Sequence, residues 1–491
     1  MHLPIYRLCA ITLLAITDLC ANPSLAQTIP TPIRIELERA QVPLDAVSLL
    51  VLDAEGKGVP RLSHRSEAPM NPASVMKLVT TYAALDLLGP AFVWRTPVWL
   101  DGPVVSGVLK GNLVIQGQGD PKLVLERLWL LLRRVQGLGV QRIAGNIVLD
   151  RRAFAVPPNN PGDFDGEPMR PYNTAPDALL LNYKSLVMTF TPDATGSAAR
   201  VQVDPPLAGV NWPSQVALSK NGACGDYRTT LKADFSDPKR MVLAGSYPRD
   251  CGEKVWPVAY ADPASYNARA LEGLWRSMGG RLDGEVHEGA APEAPPTFEL
   301  TSPPLAEVIR DINKYSNNVM AQQLFLTLGL SRPTANSANS GQRSLSTDMA
   351  SVATAESARE AVRQWWQRRI SNGNVPVIDN GSGLSRLNLI SAQQLGQLLQ
   401  TAYASSNMPE LMSSLPIVGV DGTLKRSRAS NASAHLKTGS LREVTALAGF
   451  VHGASGKRYV LVAIVNHANA GAVRPVFDAL IDWAVVDNQR P

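Results

Sequence analysis

The sequence predicts an α+β fold: a sheet assembled from strands at both ends of the chain, flanked by helices and interrupted by a long β-rich insertion. Three observations predict it. Apolar–polar alternation occurs near residue 50 and again after residue 430, helical periodicity marks 75–88 and much of 304–370, and from Val98 to about Pro296 the chain passes into short β-like runs with frequent Pro and Gly. At 491 residues, 45% hydrophobic and 18% charged, the chain has material for roughly three globular domains, and its composition excludes disorder or a coiled coil. The formal net charge of +5 is spread thinly, with no Lys/Arg block suited to tracking a nucleic-acid backbone.

The first element is a leader. Arg7 precedes an apolar run from Leu8, broken by Asp18, and small residues lead to Ala26, the layout of a secretory signal cut after Ala26; an uncleaved apolar anchor is the alternative. Removal of residues 1–26 takes Cys9 and Cys20 with it. Cys224 and Cys251 then remain, a number that suits one disulfide in an oxidising compartment better than a metal site; two buried free thiols are the other reading.

Next, AVSLLVLDAEGKGVPRLS alternates around an Ala-Glu-Gly-Lys-Gly turn and predicts a hairpin. Pro72 suits a first helical turn, and the nearly all-apolar run from Val75 to Leu88 predicts a buried helix. The insertion follows, β-rich apart from stretches such as KLVLERLWLLLRRVQGLG, and leaves through the Pro-rich GAAPEAPPTFEL, read as a linker. Helices return from Pro304. HLKTGSL, TALAGFVHG and RYVLVAIVNH then predict strands, and RPVFDALIDWAVV a closing helix.

Three short motifs carry chemistry. Ser74 and Lys77, three residues apart in the apolar helix, share a face, so the amine can reach the hydroxyl, and the helix N-terminus favours a developing anion. Burial disfavours the ammonium and prepares Lys77 to act as a base. The bare pattern is weak, since Ser236 and Lys239 repeat it in a polar loop. Ser316-Asn317-Asn318 lies between two helices, where a turn would let Ser316 and Asn318 face one way; Ser-x-Asn recurs at Ser219, Ser337 and Ser405. Lys437-Thr438-Gly439-Ser440 occurs once, and a glycine within a strand marks close approach of backbone or ligand, or else a bulge on a solvated edge. His435, two residues before Lys437, reads as strand surface.

In this order, Ser-x-x-Lys, Ser-x-Asn and Lys-Thr-Gly resemble the penicillin-recognising serine acyltransferases, the β-lactamases and penicillin-binding proteins. The long separation of Ser74 from Ser316 narrows the resemblance to class C low-molecular-mass penicillin-binding proteins, the D-alanyl-D-alanine carboxypeptidase/endopeptidase family, whose transpeptidase/β-lactamase-like domain is interrupted by two extra domains. Gly117–Pro121, Gly381–Arg386 and Leu415–Leu424 resemble that family's Gly-x-Gly-Asp-Pro, Gly-Ser-Gly-Leu-Ser-Arg and Leu-Pro-x-x-Gly-x-Asp-Gly-Thr-Leu elements. Asn380 departs from it: the family usually has Asp there, and here Asp379 is displaced by one.

The resemblance implies a transpeptidase-like domain over 27–97 and 297–491, an insertion domain over 98–190 and 256–296, and a nested subdomain over 191–255. It implies Ser74 as nucleophile, Lys77 as base, Ser316 as proton relay, the backbone N–H groups of Ser74 and Ser440 as oxyanion hole, and Asn318, Lys437, Thr438, Gly439 and Ser440 as substrate-binding residues. The implied substrates are peptidoglycan stem peptides and D-Ala crosslinks, with β-lactam antibiotics as covalent inhibitors and no cofactor, metal or nucleic acid. The implied location is the periplasm, free or at the membrane surface, in an unspecified oligomeric state. Two rivals are a β-lactamase with the same acylation chemistry, for which no Glu-x-x-x-Asn loop follows Ser316, and a non-catalytic wall-binding or β-lactam-sensing protein. Asp163 and Asp165 in the insertion are candidates to meet the side-chain amine of the stem's diamino acid, with a polar turn as the alternative.

Overall fold

The run VLVAIV inside Arg458–Asn466 is apolar at consecutive positions because both faces of this strand are covered, so no side chain is spared for solvent. The strand is central in an antiparallel five-stranded sheet of order Ala434–Leu441, Val444–His452, Arg458–Asn466, Val47–Asp53, Leu62–His64, which joins the two ends of the chain as the alternation near residues 50 and 430 predicts. The computed structural model describes residues 28–194, 196–219, 223–330, 352–371 and 373–487. The leader and the Ser-x-Asn at Ser337 lie outside the described residues, as does part of the one at Ser219.

One face of the sheet is covered by the helices Thr31–Arg39 and Arg474–Val485, whose Ile33, Leu37, Phe477 and Leu480 pack on Leu49, Val51 and Leu461. The other face carries Lys77–Leu88, Leu305–Lys314, Asn318–Leu330, Ala355–Arg369 and Ala392–Tyr403 around a larger core. Among these, Lys77–Leu88 is buried from Lys77 to Leu85, which accounts for its lack of a polar stripe.

The insertion enters by the strand Arg95–Asp101 and leaves by Phe298–Thr301, and these two strands pair antiparallel. Neighbouring ends let a long segment be inserted without distorting its host. The run FEL, read from sequence as linker, is therefore a strand: it completes the sheet that its own entry strand begins. The nested part repeats the device, with Ser185–Pro192 and Lys254–Ala259 paired antiparallel from Ser185↔Ala259. Positions 190/191 and 255/256, the boundaries read from sequence, fall inside these two strands. The sheets of the insertion share one contiguous apolar cluster, which runs from Val98 to Phe298. Cys224 and Cys251 are joined by a disulfide within the nested part.

The insertion is docked on the helix Asn318–Leu330. The Gln323 side chain, fully buried, accepts from Asp177 N and donates to Asp177 O, both at 2.8 Å, while the Asp177 carboxylate is held by Arg151 and Lys184. Lys122 pairs with Asp311, and Tyr183 Oη donates to Met320 Sδ at 3.5 Å. No described helix is long and apolar enough to cross a membrane.

Candidate active site

The chain reaches Ser74 through a constrained turn. Asn71 Oδ1 accepts from Ala73 N, Ala73 takes a left-handed φ of 46°, and Ala73–Met76 winds as a 3-10 turn that runs directly into the helix Lys77–Leu88. In a 3-10 turn residues i and i+3 eclipse, so Ser74 and Lys77 align more closely than on the α-helix expected from sequence. Lys77 Nζ lies 2.9 Å from Ser74 Oγ.

The other two contacts of Lys77 define its role. Its Nζ donates to Asn318 Oδ1 at 2.6 Å and to the backbone carbonyl of Ser382 at 2.5 Å. Both are oxygens that only accept. A neutral amine has two N–H groups and one lone pair; with both N–H groups engaged, the lone pair is left for the partner that can donate, the Ser74 hydroxyl. Lys77 is fully buried, and burial first, then the nearby charge of Lys437, push its ammonium well below the ordinary lysine range.

Asn318 and Ser316 are brought to one side by a break between two helices. Ser316 has φ 57°, a left-handed conformation that costs a residue with a Cβ about 1–3 kcal/mol and recurs at functional sites. The chain reverses there, so Asn318 turns inward to Lys77 while Ser316 Oγ meets Lys437 Nζ at 2.9 Å. Expected from sequence to hold substrate, Asn318 has its carboxamide oxygen committed to Lys77, leaving the amide N–H₂ to donate.

Lys437 and Gly439 point from the edge strand Ala434–Leu441 toward the Ser74 turn. Lys437 is fully buried, donates also to Thr438 O at 2.6 Å, and burial brings its ammonium down to about 7. The need for glycine at 439 is steric: a Cβ there would sit 2.4 Å from Pro72 O and 3.0 Å from Ser74 N. This close approach sets the Ser74 backbone beside the strand. On the opposite face Thr438 Oγ1 meets Thr423 Oγ1 at 2.7 Å, and Ser440 is exposed. Among the described residues the strand has no partner on its outer side over Lys437–Ser440, so an extended peptide can add there.

Gly381–Arg386 closes the site. Thr80 Oγ1 donates to Gly381 O at 2.6 Å, and Gly383, φ 81°, leaves room only for the Ala73 carbonyl, 2.1 Å from where a Cβ would lie. Sequence reasoning missed the Ser382 carbonyl as a contact of Lys77, because a backbone oxygen leaves no residue signature; the glycines around it were the available signal. His435 is half-buried with Nδ1 on Met412 O, and burial lowers its pKa.

The candidate acidic pair of the insertion divides. Loss of solvation is the largest single influence on the Asp165 carboxylate and would raise its pKa, but hydrogen bonds from Tyr172 Oη, Asn173 Nδ2 and Glu167 N together outweigh it and hold the pKa low. Asp163 is exposed. Between them, Phe164 receives the Arg386 guanidinium at 5.6 Å, and Arg386 donates to Arg442 O, so this loop of the insertion touches the wall of the site.

Compared with known proteins, the chain matches one family model over most of its length. Residues 35–485 match the D-Ala-D-Ala carboxypeptidase 3 (S13) family. The chain is 26% identical over 418 residues to a D-alanyl-D-alanine carboxypeptidase DacB of Haemophilus influenzae, covering 82% of this chain and 81% of that protein. It is 26% identical over 489 residues to a D-alanyl-D-alanine carboxypeptidase of an Actinomadura species, covering 94% and 87%. The crystal structure of penicillin binding protein 4 (dacB) from Haemophilus influenzae superposes with a TM-score of 0.69 at 22% identity, over 92% of this chain and 99% of that one.

Proposed function

The chain belongs to the D-Ala-D-Ala carboxypeptidase 3 (S13) family, and from that premise we propose that it is a serine hydrolase that cuts the terminal D-Ala-D-Ala bond of peptidoglycan stem peptides and their D-Ala crosslinks, and that penicillin acylates it. The observation that carries this reading is the saturation of Lys77 by two pure acceptors with its remaining contact on Ser74 Oγ.

Ser74 Oγ attacks the carbonyl carbon as Lys77 takes its proton. The backbone N–H groups of Ser74 and Ser440 receive the oxyanion, a contribution of about 3–4 kcal/mol for each donor. Ser316, hydrogen-bonded to Lys437, relays to the leaving amine the proton that Lys77 took from Ser74 as the C–N bond breaks, which returns Lys77 to its neutral form, and Asn318 donates to the peptide backbone. Lys437, Thr438 and Ser440 receive the terminal carboxylate. Water then releases the acyl group. A free D-Ala leaving group makes the reaction a carboxypeptidase step; the amine of a neighbouring stem makes it an endopeptidase step.

Periplasmic action is part of the proposal. It is supported by the leader-like residues 1–26 and by the Cys224–Cys251 disulfide, which suits an oxidising compartment. Product analysis on crosslinked peptidoglycan tests the activity: release of D-Ala and conversion of crosslinked dimers to monomers are expected. Fast nitrocefin turnover without peptide cleavage would favour the β-lactamase reading. No described carboxylate hydrogen-bonds Ser74 or Lys77, which argues against a placed base for penicilloyl hydrolysis.

The two lysines predict a bell-shaped pH profile of kcat/KM on a peptide with a free terminal carboxylate. Activity rises as Lys77 loses its proton. It falls as Lys437, at about 7, loses the charge that attracts the carboxylate. The two limbs belong to the coupled pair. Initial rates between pH 4 and 10 check this; on a substrate with an amidated C-terminus the alkaline limb should flatten.

For the insertion we propose Asp163 alone as the partner of the stem's side-chain amine. Asp163→Asn is expected to lower kcat/KM about three- to fivefold on stems with a free amine, the scale of an exposed ion pair, and to leave an N-acetylated stem unchanged. Equal effects on both substrates would remove the idea.

A further inference from the structure

Asn380 winds the Gly381–Arg386 loop around its own carboxamide. Its Oδ1 accepts from Ser382 N at 3.1 Å and Ser382 Oγ at 2.8 Å, and its Nδ2 donates to Leu384 O at 3.0 Å. A carboxylate can accept the first two bonds but cannot make the third, and would face the Leu384 carbonyl with charge. The outcome of this winding is the orientation of one backbone oxygen, Ser382 O, onto Lys77 Nζ.

The charged groups near Lys77 on the elements packed around it are few. The strand Ala434–Leu441 contributes Lys437, which sits on Ser316. From Leu305–Lys314 come Asp311 and Lys314, already paired with Lys122 and Asp421, and Arg310, which donates to Ser413 O. Asp379, next to Asn380, is turned to Arg359 of the helix Ala355–Arg369. Asp86, at the far end of Lys77–Leu88, meets Arg369 and Trp365, and Glu410 lies on the short helix Met408–Ser414. Of these charges only Lys437 acts appreciably on Lys77. Among the described residues, the base thus has neutral acceptors and one cation around it.

We propose that Asn380 is a positioning residue that holds the Ser382 carbonyl on Lys77 without bringing a negative charge to the base, and so sets the pH above which Ser74 becomes reactive. The inference rests on the function proposed above and deepens it. A carboxylate at 380 would be separated from Lys77 Nζ by the single residue Ser382, within roughly 8 Å, and would stabilise the ammonium. The expected displacement of the acid limb is about one pH unit upward.

The test measures the rate of labelling by a fluorescent penicillin from pH 4 to 10 for the full chain. In Asn380→Asp the acid limb should move up by about one unit while the alkaline limb stays. Gln322→Glu gives an independent route should Asn380→Asp fail to fold: Gln322 Nε2 reaches Ser382 Oγ at 3.4 Å from the helix bearing Asn318, and a charge there should displace the acid limb the same way. Asn380→Ala, which loses the hydrogen bonds without adding charge, should lower the rate at every pH with the limb in place. An acid limb that stays within 0.3 units (about twofold in the proton equilibrium) in both charged variants, or moves equally in Asn380→Ala, overturns the inference. Absence of labelling in the unmodified protein would overturn the proposed function instead.

Discussion

Replacing Lys77 by methionine is expected to slow acylation of Ser74 by 10²–10⁴-fold, the range associated with loss of a general base. The apolar chain of methionine fits the buried site, so the fold should persist. Asn318 Oδ1 and Ser382 O lose a donor, however, and some stability goes with it, about 1–3 kcal/mol for buried acceptors left unpaired. The pH profile separates the two effects: with Lys77 gone the acid limb should vanish, whereas damage by misfolding would lower the rate and leave the limb. Stopped-flow labelling by penicillin, with a thermal melt of the same sample, makes the comparison. Retention of more than about a tenth of the rate, below the 10²-fold loss expected for a general base, would show that another group removes the serine proton.

The second large effect is expected from one methyl group. In Gly439→Ala the new Cβ would lie 2.4 Å from Pro72 O and 3.0 Å from Ser74 N and Val75 N. All three are backbone atoms of the constrained turn, so relief must come from separation of the strand Ala434–Leu441 from Ser74. A displacement near 1 Å is enough to cost about 10²-fold in rate when reacting groups must be aligned. The proposed oxyanion donors, the backbone N–H groups of Ser74 and Ser440, belong to these two segments, so the loss should appear in kcat on the peptide and in the penicillin acylation rate together. The strand keeps its full ladder to Val444–His452, and the melt should change by only a few degrees. A normal acylation rate in Gly439→Ala would mean that the close approach has no part in catalysis.

Much of this site was legible in the sequence because its side chains come in short patterns. Ser74 and Lys77, Ser316 and Asn318, and Lys437 to Ser440 are each local, and their order along the chain separates them from chance repeats such as Ser236 and Lys239. The α+β class was legible for a similar reason, since strands such as Val47–Asp53 and Arg458–Asn466 announce themselves by apolar runs at the two ends of the chain.

What was not legible is non-local or lies in the backbone. Ser382 contributes a carbonyl, which every residue has, and its selection depends on Asn380 and Gly383 acting over four positions. The contact of Asn318 with Lys77 requires the left-handed Ser316, and serine carries no mark of that conformation. The edges of the nested part are set by the pairing of Ser185–Pro192 with Lys254–Ala259, strands far apart in sequence, and composition does not report such partners. Asp163 and Asp165 looked equivalent by type, and both are exposed; only the folded loop shows that the Asp165 carboxylate is already engaged by Tyr172 and Asn173.

The most direct test of the central claim is peptide mapping by mass spectrometry after brief exposure to penicillin. A single penicilloyl adduct is predicted, on the peptide containing Ser74, formed rapidly near neutral pH and absent from Ser74→Ala. An adduct on another residue, or one that persists in Ser74→Ala, would contradict the assignment of Ser74 as the nucleophile.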